Sequence, residues 1–241
     1  MQVFAKSDIG RERQLNEDFY YASADTDKIK LFILADGMGG YNGGEVASKL
    51  SVESIRKYVY KNLDITIADE EYIKELLTEA LKYANKVVFS ESKGSESLNG
   101  MGTTTDCCLI FKRKLYIAHI GDSRVYRIRN DYMRKLTKDH SYVQQLLDEG
   151  KISKEEAIVH PKKNMLLKAL GCTENIEPDI IVKNFQKDDV LVMCSDGLSN
   201  MLRDEEIKNI IKEDINIAAE GLVEKANDNG GLDNITVIIV K

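Results

Sequence analysis

The chain contains no tryptophan, two prolines, three histidines and four cysteines among its 241 residues. With prolines only at Pro161 and Pro178 there is no Pro-rich linker, and no low-complexity tract or internal repeat breaks the sequence. Cys107, Cys108, Cys172 and Cys194 lack CxxC spacing. At least three of them lie in apolar or glycine-containing stretches, so they read as buried free thiols of a reducing compartment. No apolar run approaches the roughly 18 residues of a membrane span. The opening Met1-Gln2-Val3-Phe4-Ala5-Lys6 carries neither the charged nor the apolar region of a signal peptide. Cytoplasmic placement is expected. An excess of basic charge is missing too, since the net charge is −6. General binding to nucleic acid or to anionic membranes needs a basic surface and is disfavoured.

What is present is ordinary for a globular protein: 43% hydrophobic and 31% charged residues, in a length ample for one sizeable core. Apolar runs predict strands at Phe19–Ala24, Lys30–Ala35, Thr103–Phe111, Leu115–Ile120, Arg124–Arg129, Ile180–Phe185, Val190–Cys194 and Ile235–Val240. Several are apolar on both faces, which suits strands covered by a second sheet on one side and helices on the other. The turns Lys112-Arg113 and Asn130-Asp131 predict hairpins and antiparallel pairing. A helix is expected from Asp69 to Ser90, where Ile73, Leu76, Leu77, Ala80, Leu81, Ala84, Val87 and Val88 form one stripe. Others are expected over Glu45–Tyr60, Arg203–Lys212 and Asn216–Asp228. Helices thus come in pairs between blocks of strands. The expected fold is α+β, a four-layer αββα arrangement in which an antiparallel β-sandwich is flanked by helix pairs.

The stretch 141–168 differs in being polar. A short helix at Ser141–Glu149 is closed by Gly150, and Ser153-Lys154-Glu155-Glu156 reads as a capping box opening another. This is a surface excursion.

Chemistry concentrates in acidic blocks at strand ends. Ile33-Leu34-Ala35-Asp36-Gly37-Met38-Gly39-Gly40 reads as a strand ending in a carboxylate, followed by a glycine-rich turn into a helix. The design recurs at Leu191–Gly197, and Gly231-Leu232-Asp233-Asn234 leads into the last strand. In an antiparallel sheet the end of one strand and the start of its neighbour share an edge, so these acids are expected at one rim. Gathered carboxylates repel one another and call for a cation.

In order along the chain stand Ser7-Asp8-Ile9-Gly10-x-x-Arg13-x-x-Asn16-Glu17-Asp18, Asp36-Gly37-Met38-Gly39-Gly40, Gly102-Thr103-Thr104 and Gly121-Asp122-Ser123-Arg124. They are followed by Leu136-Thr137-x-Asp139-His140-Ser141, Ala169-Leu170-Gly171, Ser195-Asp196-Gly197-Leu198 and Gly231-x-Asp233-Asn234. One Asp-Gly is a common turn, but the ordered set resembles the PP2C-type (PPM family) metal-dependent serine/threonine protein phosphatases, in their compact bacterial form, over essentially the whole chain. The resemblance implies a single domain over 1–241 with a flap at 141–168. It also implies hydrolysis of phosphoserine and phosphothreonine in proteins by a hydroxide bridging two Mn²⁺ or Mg²⁺ ions. A bacterial Ser/Thr kinase would be the opposing enzyme, phosphorylated proteins the partners, and the chain a monomer. There are departures: Tyr41 follows the glycine block where bacterial members often have His, Met38 stands where many eukaryotic members have His, and Lys168 replaces a common Arg. The group that protonates the leaving alkoxide is left open.

The resemblance implies Asp36 as the bridge between both ions, with the Gly37 carbonyl as an added ligand. Asp196 and Asp233 complete one site, Glu17 and Asp18 serve the other, and Asp122 joins Asp196 on a third, weaker ion unless it merely caps its turn. Arg13 is the expected phosphate clamp, because a guanidinium holds two phosphate oxygens at once; Arg11 reads as a surface arginine. Asp139 and His140 could line the rim, but capping the helix that follows is the favoured expectation, and His119 is expected to make an ordinary hydrogen bond at a strand end. Cys107-x5-Arg113 matches the spacing of cysteine-based phosphatases, yet Leu109, Ile110 and Phe111 read as buried strand and not as a phosphate loop. Imidazole-rich di-metal phosphoesterases need more than three histidines. A pseudophosphatase would have no use for Glu17, Asp36, Asp196 and Asp233, whereas a relative specialised for one regulatory partner stays within the class.

Overall fold

A computed structural model describes residues 1–39 and 43–241; the glycine-block residue Gly40 and the departure at Tyr41 lie outside them. One antiparallel sheet has the order β1-β11-β10-β7-β8, built from Val3–Asp8, Ile235–Val240, Val190–Cys194, Arg124–Arg129 and Tyr132–Lys135. The other has the order β2-β3-β5-β6-β9, built from Asp18–Ala22, Lys30–Met38, Thr105–Phe111, Lys114–Ile120 and Asp179–Asn184. The short β4 (Gly102–Thr103) pairs with the end of β3. The two predicted hairpin turns are left-handed at both residues, with φ of +47° and +62° at Lys112-Arg113 and +46° and +67° at Asn130-Asp131. That is the geometry of a two-residue hairpin.

Strand alternation explains the double-faced hydrophobicity. In β3, Leu31, Ile33 and Ala35 pack against α1 (Gly44–Asn62) and α2 (Glu70–Gly94), while Phe32 and Leu34 point between the sheets. In β11, Ile235, Val237 and Ile239 meet α5 (Asp196–Ser199), α6 (Asp204–Glu213) and α7 (Ala218–Asp228), while Ile238 and Val240 point between the sheets. The layers are therefore αββα, as the sequence predicts. Each such side chain contributes about 1.5–3 kcal/mol on burial. Three apolar layers thus hold the strand ends in place against the repulsion of the acids they carry.

The stripe of α2 is buried at Ile73, Leu77, Ala80, Leu81, Ala84 and Val88, and Asp69 caps its start by accepting from Tyr72 N at 2.8 Å. The stretch 141–168 forms α3 (Tyr142–Asp148) and α4 (Lys154–Ile158), neither with a buried residue. The predicted capping box is present at Ser153 and Glu156. Its base is closed by hydrogen bonds from Tyr142 N to Met165 O and from Leu167 N to His140 O, both 2.8 Å.

Candidate metal centre

The acids converge from both sheets at one end of the sandwich. Asp18 and Asp36 are directly paired across β2 and β3. By alternation with Leu34 and Phe32, Asp36 points into the space between the sheets. From the other sheet, β10 ends at Cys194 and Asp196 opens α5, while Asp233 lies two residues before β11. Glu17 precedes β2, and Asp122 follows the end of β6. Ser195 ties the sheets together: its hydroxyl donates to Asp18 Oδ2 at 2.7 Å and accepts from Thr236 N at 2.9 Å.

The two Asp-Gly pairs owe their glycines to close backbone approach. A Cβ on Gly37 would lie 2.1 Å from the Gly44 carbonyl oxygen and 2.5 Å from that of Glu17. A Cβ on Gly197 would lie 2.0 Å from the Asn234 carbonyl oxygen. Glycine therefore lets a neighbouring element press against each metal-rim aspartate. The expectation that the strand ends at Asp36 is corrected here, since β3 runs on to Met38 and α1 starts only at Gly44. The single strand expected at Thr103–Phe111 is likewise split at Thr104. Asp36 N donates to the Thr104 hydroxyl at 3.1 Å in place of a ladder carbonyl, and that hydroxyl also pairs with Ser123 Oγ at 2.7 Å. The ladder is irregular where the central acid sits.

Crowding shifts the acids upward. Burial, then repulsion from Asp18, Asp196, Asp122 and Asp233, raises Asp36 well above the carboxylate range. Burial lifts Asp18 to about 7 against the hydrogen bonds it accepts. Asp122 is pushed to about 8 by burial and by Asp196. Burial likewise raises Asp196 and Glu17. Asp18 Oδ1 is buried with no hydrogen-bond partner among the described residues. An all-oxygen set of this kind, with an orphaned buried carboxylate oxygen, fits hard cations such as Mg²⁺ or Mn²⁺. Among the described residues no group of three or more His, Cys, Asp or Glu side chains is close enough together, as it stands, to hold a metal ion. Asp233 Oδ2 is engaged by Arg13 Nη2 at 2.8 Å.

Residues 9–222 match the family model for protein phosphatase 2C. The chain belongs to the protein phosphatase 2C family. It is similar to a protein of Listeria innocua named serine/threonine phosphatase stp, 41% identical over 243 residues that cover all of this chain and 96% of that one. The crystal structure of the Mycobacterium tuberculosis serine/threonine phosphatase PstP/Ppp superposes with a TM-score of 0.89 at 36% identity, covering 99% of this chain and 97% of that one. A structure of the PstP catalytic domain in complex with two manganese ions gives a TM-score of 0.87 at 34% identity, over 99% and 96% of the two chains.

Within this phosphatase 2C fold, the rim brings together Glu17, Asp18, Asp36, Gly37, Asp122, Asp196 and Asp233, with Arg13 at its edge. Arg11 pairs with Asp228 on the surface, as expected. His119 is buried and bonded to Asp106 and Lys138 O. The capping role expected of Asp139 is overturned: Ser141 caps α3, while Asp139 is held by Arg124 and Lys135 at 2.8 and 2.9 Å. Two opposite charges draw the carboxylate away from the helix end. Cys107 and Cys108 are fully buried, and burial raises both thiols, so neither is a nucleophile. The sequence reading assigned no role to Asn234. Its buried side chain accepts from Glu17 N at 2.8 Å and donates to Ile9 O and Leu15 O at 2.9 Å. It thereby latches the loop carrying Arg13 and Glu17 to Asp233. An asparagine between a rim aspartate and a buried strand was the available signal.

Proposed function

We propose that this metal-dependent serine/threonine protein phosphatase hydrolyses phosphoserine and phosphothreonine at the acidic rim, with labour divided among the residues placed there. The carrying observation is the convergence of Asp18, Asp36, Asp122, Asp196 and Asp233 from both sheets, with Asp18 and Asp122 raised to about 7 and about 8. Asp36, at the centre, would be shared by two Mn²⁺ or Mg²⁺ ions; Asp196 and Asp233 would complete one position, and Glu17, the Gly37 carbonyl and Asp18 would serve the other. Bound there, the ions supply Lewis-acid neutralisation of the phosphoryl oxygens and lower the pKa of an attacking water. Arg13 holds the substrate phosphate, its guanidinium standing exposed at the edge of the rim. Asn234 and Ser195 position these groups. Asp122 shares a third, looser ion with Asp196, supported by their electrostatic coupling.

The segment 141–168 serves as a flap that selects protein substrates. A cavity of about 1080 Å³ runs from Asp122 and Asp196 to Val143, Leu147, Ile152 and Ile158 of the flap. The chain acts as a monomer in the cytoplasm and opposes a Ser/Thr kinase, a reading supported by its similarity to bacterial serine/threonine phosphatases. No helix among the described residues is long and apolar enough to cross a membrane. The decisive experiment measures phosphate release from a phosphothreonine peptide with Mn²⁺, Mg²⁺, Zn²⁺ or chelator, with a phosphotyrosine peptide as control. Turnover should require Mn²⁺ or Mg²⁺ and survive Cys107→Ser. Chelator-resistant turnover lost in the Cys107 variant would overturn the assignment.

A further inference from the structure

At the end of the sandwich opposite the acidic rim lies a second concavity, of the other charge. Asp122 and Asp196 follow the last residues of β6 and β10, whereas the β5–β6 turn and the β9–β10 connection lie at their first residues. A strand the length of β6, at about 3.3 Å per residue, puts roughly 20 Å between the two ends. There a cavity of about 460 Å³ is lined by Lys112, Arg113, Lys114 and Lys187, with Asn184 and the buried Phe185. Every ionisable group on its wall is a cation, in a chain of net charge −6.

The cavity is built firmly. Phe185 N donates to Arg113 O at 2.8 Å, and Arg127 and Arg129 donate to Asn184 O at 3.2 and 3.0 Å. Lys112 donates to Ala68 O at 3.0 Å and Lys114 pairs with Glu70. Asp189 is taken up by Arg129, and Asp188 does not line the cavity. Arg113 and Lys187 are exposed and form no ion pair among the described residues. The turn itself is unfavourable. Lys112 and Arg113 occupy left-handed backbone, where Asn and Gly are the usual choices. The other hairpin uses Asn130-Asp131, which tolerate that conformation. What Lys112 and Arg113 share is positive charge at the cavity mouth.

We infer that this basic pocket docks an acidic segment of a protein partner, a run of aspartate or glutamate side chains, remote from the metal rim. Arg113 and Lys187 stand exposed at the mouth from two different connections, without an ion pair among the described residues, while Lys112 and Lys114 are held by Ala68 O and Glu70. That spacing suits several carboxylates along a chain better than one compact anion.

The test is fluorescence anisotropy of a labelled glutamate-rich peptide with the full chain in chelator, so that the readout is independent of phosphatase activity. Binding is expected, and it should weaken as salt rises from about 50 to about 200 mM. The double variant Arg113→Gln with Lys187→Gln should bind about tenfold more weakly, with an unchanged melting temperature and unchanged hydrolysis of a small aryl phosphate. Arg113→Gly should weaken binding while raising the melting temperature, because it relieves the turn. No binding by the unmodified chain, equal affinity in the double variant, or full displacement by inorganic phosphate at constant ionic strength each overturns the docking site.

Discussion

At the scale of single residues, the proposed function separates groups assigned to the ions or phosphate from groups that hold them in place. Asp36→Ala should cost more turnover than the roughly 10–100-fold typical of losing an outer-sphere partner. The metal-free variant should nevertheless melt no lower than the unmodified chain, because a crowded acid has been removed. Near-normal turnover and Mn²⁺ affinity would refute the bridging role. Arg13→Ala should lower kcat/KM about 10–100-fold, as expected of a charge-assisted hydrogen bond, mainly through KM; Arg13→Lys should recover only part of it. Steady-state kinetics on a phosphopeptide decides, and a silent Arg13→Ala beside a crippling Arg11→Ala would show the register to be wrong. Asn234→Ala deletes three buried hydrogen bonds and should destabilise by about 2–4 kcal/mol, with weaker Mn²⁺ binding per folded molecule. Denaturant melts alongside metal titrations measure both effects.

At the scale of elements, the flap stands apart because neither α3 nor α4 buries a residue, while its base is clamped at Ser141–Leu166. Exchanging the segment between those clamps for that of a relative should shift preference among phosphoproteins and leave hydrolysis of a small aryl phosphate within about twofold. Equal loss on every substrate would indicate a structural role. The sequence announced this segment well, since Ser153 and Glu156 form a capping box wherever a helix starts. It announced the core strands equally well, being apolar on both faces. Of the two edges of their sheet, it did not announce β1, and it announced β8 only through the hairpin turn at Asn130-Asp131. Edge strands pair on one side only, so β1 mixes Lys6, Ser7 and Asp8 with apolar residues, and the four-residue β8 is half exposed.

For the molecule as a whole, the rim makes stability depend on pH and metal together. Asp18 and Asp122, at about 7 and about 8, hold protons more tightly in the folded than in the unfolded chain. Their contribution is full at low pH and is lost as pH climbs from about 4 through about 8. The chelated protein should therefore melt at a higher temperature at pH 5 than at pH 8. Saturating Mn²⁺ should abolish or reverse that trend, since cations then neutralise what protons no longer do. Exposed pairs such as Glu70 with Lys114, where the acid is lowered, titrate below this window. Thermal melts across pH with chelator and with Mn²⁺ make the comparison, and a flat chelated profile would contradict the clustering of the acids.

The sequence alone determined the layer order, because strands apolar on both faces and helices arriving in pairs leave an αββα sandwich as the way to bury them. It also pointed to the acids gathered at the rim, but not to the buried Asp106 and Asp189, which are satisfied by His119 and Arg129. Three things were decided only in three dimensions. The reason for each Asp-Gly glycine lies in a carbonyl contributed by a distant element, Gly44 for Gly37 and Asn234 for Gly197. The fate of Asp139 was decided by Arg124 and Lys135, which outcompete a helix end. The latch at Asn234 joins residues more than two hundred positions apart. Periodicity is a local property of a chain, whereas close approach and charge pairing depend on neighbours that only folding supplies.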